Sequence, residues 1–208
     1  YFEAATRDIR ALPKLEGTVH VNIALIVKFM PNFFFNPAEY APVPARTDPT
    51  NDGYLFAQAP TRGLGKIQFH DYKLAYNSLN LPNVALFREQ TSTFKRLLAT
   101  ATPTEEQQKD IDFLLVVGEL FALVVYGQLI LEAAPMHDMA DDEIDQIFDF
   151  MVRDFSKHAL SLYSKPSATD AQMALCQAMI RRPVVDHERY QRVWQTVHGL
   201  NGAYAMNP

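Results

Sequence analysis

The sequence predicts an all-α fold, a helical bundle, on three observations. Apolar residues recur at helical spacing, as at Ile144, Ile147, Phe148, Met151 and Phe155. Capping residues stand just ahead of the periodic stretches, as at Thr102 and Ser167. No alternating strand pattern and no internal repeat interrupts this reading. The expected organisation is a short piece of one bundle over residues 1–30, an ordered Pro- and aromatic-rich connection over 31–72, and a second bundle over 73–208. That second bundle should hold about four to five helices.

Residues 1–30 read as two helices joined at a turn. Pro13 lacks the N–H an internal helix position needs, Gly17 permits a tight turn, and Thr18 can cap the helix that follows. Val19, Ile23, Ile26 and Val27 form that helix's apolar stripe. Residues 31–65 then carry Pro31, Pro37, Pro42, Pro44, Pro49 and Pro60, a density that predicts neither regular helix nor strand. Phe33, Phe34, Phe35, Tyr40, Tyr54 and Phe56 lie in the same stretch, so an ordered wrapping connection is expected rather than a flexible linker.

Helix is predicted from about Lys73 to Thr100, interrupted at Pro82. Thr102-Pro103-Thr104-Glu105-Glu106 reads as the start of a long apolar helix ending before Pro135. Asp141-Asp142-Glu143 opens the next, Ser167–Asp170 opens one running to Arg182, and a last helix covers about Asp186 to Gly199. The stretch Phe113 to Leu131 is long enough to span a bilayer, but Glu119 and Gln128 interrupt it. The expectation is a helix buried on all sides, within the bundle or at a subunit interface, and no membrane span.

Of the 208 residues, 48% are hydrophobic, enough for a sizeable core. The net charge of -5 and the lack of a Lys/Arg cluster argue against a nucleic-acid partner. Cys176 is the only cysteine, which excludes an intrachain disulfide and fits a reducing, cytoplasmic setting. Its apolar neighbours Leu175 and Met179 predict a buried thiol without catalytic work. The start Tyr-Phe-Glu has no basic region followed by an apolar core, so no signal peptide is expected.

The chemistry-bearing motif is Arg7-Asp8 followed by Glu16-Gly17-Thr18. This segment resembles the part of acyl-CoA dehydrogenases that carries the catalytic carboxylate. In that family an Arg-Asp pair on a helix is followed, at this spacing, by a Glu-Gly-Thr turn that opens the next helix. The resemblance implies that Glu16 is the base that takes the alpha proton of an acyl-CoA thioester, while the beta hydride passes to the flavin N5 of FAD. The product would be a trans-2-enoyl-CoA. It implies further that Glu16 and Gly17 contact substrate, the Glu16 backbone N–H binding the thioester carbonyl, and that Thr18 and His20 contact the flavin. Leu12, Leu15, Val19 and Val21 would supply the apolar surroundings that suit a carboxylate base. His20 stands where the family commonly has Gln, and Leu15 where it commonly has an aromatic residue.

The close resemblance covers residues 1 to about 30. The rest is similar in helix content and order to the extra C-terminal bundle of the larger acyl-CoA dehydrogenases and oxidases. The expected protein is therefore the C-terminal part of such a flavoenzyme, inactive without its upstream domains. Its expected partners are acyl-CoA, the remainder of the enzyme or a second chain, and further copies in a homo-oligomer. An electron-transfer flavoprotein is a candidate electron acceptor. Two alternatives stand beside this reading. One is a non-catalytic helical interaction or scaffolding domain in which Glu16 only caps a helix; the other is an acyl-CoA oxidase. No metal site is expected: the six histidines form no paired spacing, and the acidic run Asp138 to Asp145 reads as a solvated helix start.

Overall fold

The computed structural model describes residues 6–7, 9–10, 17–38, 67–200 and 202. Among these residues every regular element is helical and no strand occurs. Helix α1 (Val19–Ile26) begins where Thr18 accepts the Val21 N–H at 3.4 Å. A 3-10 turn, Val27–Phe29, leads into α2 (Met30–Phe35). The proline density predicts no helix there. Pro31 nevertheless falls in the first turn of α2, where a missing N–H has no intrahelical partner to lose. Most of the predicted connection, residues 39–66, lies outside the described residues.

Helices α3 (Lys73–Tyr76) and α4 (Pro82–Thr100) flank the interruption expected at Pro82. Leu81 is extended, as a residue before proline prefers, and Pro82 is the first helical residue. Helix α5 (Ile111–Ala133) starts later than the sequence predicts. The Thr104 hydroxyl accepts the Gln107 N–H at 3.2 Å and the Gln107 amide oxygen accepts the Thr104 N–H at 2.9 Å. These bonds close one turn by themselves. The long helix is capped instead by Asp110, whose carboxylate accepts the N–H groups of Asp112 and Phe113 at 2.9 and 3.3 Å.

Helices α6 (Asp141–Tyr163), α7 (Asp170–Met179) and α8 (His187–Gly199) complete the bundle. Thr169 and Gln172 form a reciprocal capping box at the start of α7. That helix ends at Met179, short of the predicted Arg182. Ser156 Oγ accepts the Arg181 N–H at 2.9 Å and donates to the Arg181 carbonyl at 2.8 Å, drawing this backbone out of the helix.

One hydrophobic core runs from Val27, Met30, Phe33 and Phe34 through α4, α5 and α6 to Cys176 and Met179. Its centre is aromatic. Phe33 stacks on Tyr72 at 5.2 Å and meets Phe121 edge-on at 5.1 Å, while Phe87 meets Phe148 and Phe155 edge-on, both at 5.4 Å. Each such pair adds about 0.5–1.5 kcal/mol to the burial of the rings. Tyr76 is buried beside them and donates its hydroxyl to the Val124 carbonyl at 2.6 Å.

Helix α6 packs against α4, α5, α7 and α8, while α5 packs against α1, α3 and α6 and is not buried on all sides. Phe113, Val117, Leu120, Phe121 and Val124 face the core, whereas Tyr126 and Leu129 are more than half exposed. By length and composition alone, the stretch Ile111–Met136 is apolar enough to cross a membrane, and a core helix passes the same test.

Helix α1 approaches α5 at Gly118. A Cβ added there would lie 2.4 Å from Ile23 Cγ2 and 2.9 Å from the Ile23 carbonyl oxygen. Helix propensity alone predicts that Gly118→Ala stabilises by about 1 kcal/mol. The backbone contact reverses the sign, because α1 itself must move. We expect a loss of about 1–3 kcal/mol. Thermal unfolding measures it; a raised melting temperature would show that α1 is not seated on α5 in this way.

Candidate functional site

Glu16, the base implied by the resemblance, and Asp8 lie outside the described residues. The two residues after Glu16 are described. Gly17 adopts a φ of +97°, a conformation that side-chain-bearing residues rarely take. An added Cβ would meet nothing closer than 3.9 Å, so the demand for glycine is one of backbone shape, not space. Thr18 then turns the chain into α1. Thr18 and His20 are both exposed, and Val19, Val21 and Leu25 leave much of the outward side of α1 apolar. Arg7 is helical and exposed.

Among the described residues, a buried polar cluster lies elsewhere, between α4, α6 and α8. Arg189 is 3% exposed, Asp145 3% and Asp149 2%. The guanidinium of Arg189 donates to Asp145 through Nη1 and to Asp149 through Nη2, the latter at 3.3 Å. Its Nε donates to Gln146 Oε1 at 3.2 Å. Asp145 also accepts the Asn83 backbone N–H at 2.7 Å and the Asn83 side-chain amide at 3.1 Å. Asn83 in turn bonds both the N–H and the carbonyl of Val184, at 2.8 and 3.2 Å. Arg153 reaches the other oxygen of Asp149 at 2.5 Å as an ion pair.

This arrangement corrects the reading of the acidic run as wholly solvated. Asp141 and Asp142 keep that role, and Asp142 forms an exposed pair with Arg192 at 2.5 Å. Asp145 does not. One signal was present in the sequence: Asp145 and Asp149 lie one turn apart, on the side of α6 that also carries Phe148 and Val152. The cluster is a fastening. Arg189 is the one buried side chain of α8, so it anchors that helix to α6.

Other reactive groups are structurally committed. Ser156 receives the Gln90 side-chain amide at 3.0 Å and holds the backbone of Arg181, so its hydroxyl is occupied. Burial pushes the Cys176 thiol up to about 12, far from a reactive thiolate. Half-burial lowers the His158 imidazole below its ordinary range. Among the described residues no three His, Cys, Asp or Glu side chains converge as a metal site.

The described residues thus define an all-α helical bundle in which α6 packs against α4, α5, α7 and α8, and α5 against α1, α3 and α6. No family model, no curated protein and no solved structure matches the chain.

Proposed function

We propose that this chain is the C-terminal part of a flavin-dependent acyl-CoA dehydrogenase, with Glu16 as the base that removes the alpha proton. The observation that carries this reading is the Arg7-Asp8 to Glu16-Gly17-Thr18 spacing, supported by the local geometry just after Glu16. Support comes from the left-handed Gly17 and the Thr18-capped helix, a glycine conformation and a helix start of the kind the resemblance implies. A backbone N–H beside the carboxylate would serve to polarise a thioester carbonyl.

The remaining groups fit this role. Thr18 Oγ accepts one backbone N–H and retains a proton to donate, and both Thr18 and His20 are open to a flavin edge. When bound, the flavin accepts the substrate's beta hydride. Glu16 takes the alpha proton, and the apolar side chains of Val19 and Val21 would limit water around its carboxylate. The exposed apolar sides of α1 and α5 suit contact with the rest of the enzyme or a further copy, in a cytoplasmic homo-oligomer. An electron-transfer flavoprotein remains the candidate acceptor, and direct reaction with oxygen would make the enzyme an oxidase.

The test is spectroscopic. The complete polypeptide carrying this segment should purify with the yellow absorbance of oxidised flavin, and one of a series of acyl-CoA thioesters should bleach it anaerobically. A colourless complete protein, or flavin indifferent to every thioester tried, would leave the helical interaction domain as the better reading.

A further inference from the structure

A second feature is independent of the Glu16 segment. Helices α1, α2, α4 and α5 enclose an open cavity of about 380 Å³, within the size range of small-molecule sites. Val27, Met30, Phe35, Leu98 and Leu114 make its walls apolar. Its polar lining consists of Lys28 and Gln108, and no carboxylate is among the described lining residues. The Lys28 amine makes no hydrogen bond or ion pair among the described residues. A second cation stands close by: Lys95 Nζ sits 5.2 Å from the ring centre of Phe35, one of the cavity walls. Glu105 and Glu106 follow Pro103 at the rim but line no part of the cavity.

An apolar chamber with one amine and no carboxylate among its described lining residues favours an anionic head over a cationic one. A neutral one would gain nothing from Lys28. We propose that this cavity binds an amphipathic monoanion, an aliphatic carboxylate whose tail fills the chamber and whose head meets Lys28. Ala24 on α1 and Lys28 in the 3-10 turn that follows it lie six and ten residues after Thr18. The cavity therefore begins about 9 Å along the helix from the residues assigned to the flavin. The proposal does not depend on Glu16, and binding here would leave the dehydrogenase reading neither stronger nor weaker.

The experiment is calorimetric titration of the 208-residue chain with octanoate, decanoate and dodecanoate at low salt, each below its micelle concentration. Saturable binding of one molecule per chain is expected. Affinity should rise by up to about fourfold per added methylene until the chamber is full. Lys28→Gln should weaken dodecanoate about fivefold and leave dodecanol unchanged, since Lys28 is exposed and its pairing partly screened. Ala24→Phe should block both ligands by filling the chamber. Absence of saturable binding would overturn the proposal. So would equal dodecanoate affinity in Lys28→Gln, or undiminished binding in a folded Ala24→Phe chain. If Ala24→Phe fails to fold, the Lys28→Gln comparison of carboxylate with alcohol decides by itself.

Discussion

Replacing Arg189 by alanine is expected to destabilise the chain by about 3–5 kcal/mol, the usual result of removing one partner from a buried ion cluster. The physical reason is asymmetric. With Arg189 present, Asp145 and Asp149 each receive a charge-assisted hydrogen bond in a site that water barely reaches. Without it, two carboxylates remain buried about one helical turn apart, with Asn83 still aimed at one and the half-exposed Arg153 at the other. Arg189→Lys should lose much of the same energy, because a single ammonium cannot reproduce a planar fork that bonds Asp145, Asp149 and Gln146 together. Urea unfolding followed by circular dichroism measures the loss. Trp194 lies on α8 and gives a local fluorescence signal for undocking of that helix. An Arg189→Ala chain with the parent's midpoint and slope would show that the cluster does not hold α8.

The second large effect concerns chemistry. On the proposed dehydrogenase reading, Glu16→Gln in the complete polypeptide is expected to lower the rate of flavin reduction by about 100- to 10,000-fold, the contribution typical of a positioned general base. Glutamine keeps the size and shape of the side chain but its amide cannot act as a base near neutral pH. Flavin content and substrate binding should therefore persist while reduction fails. Stopped-flow bleaching of the flavin by acyl-CoA reads this directly. Reduction at the parent rate in a variant with full flavin content would remove Glu16 from the mechanism.

These two residues also differ in how far the sequence reveals them. Glu16 is proposed from a short linear motif alone, and it lies outside the described residues. Arg189 stands out only in three dimensions. Its partners lie 40 to 44 residues away, and nothing near it in the chain distinguishes it from Arg192, which makes an ordinary surface pair with Asp142. The misplaced start of α5 has a related cause. Thr104 and Gln107 do form the local bonds their residue types suggest, but a capping pattern cannot show whether one turn or six follow it.

The sequence by itself determined the helical class and several helix starts: Thr18, Pro82, Thr169 and Asp186 act through bonds or sterics within three residues of themselves. It also marked Gly17, since a Gly after the glutamate permits the left-handed turn. Only the tertiary structure decided that Asp145 is buried, that Gly118 admits the backbone of α1, and that α5 keeps Tyr126 and Leu129 exposed. Capping depends on neighbours along the chain, whereas burial, close approach and charge pairing depend on how distant helices meet.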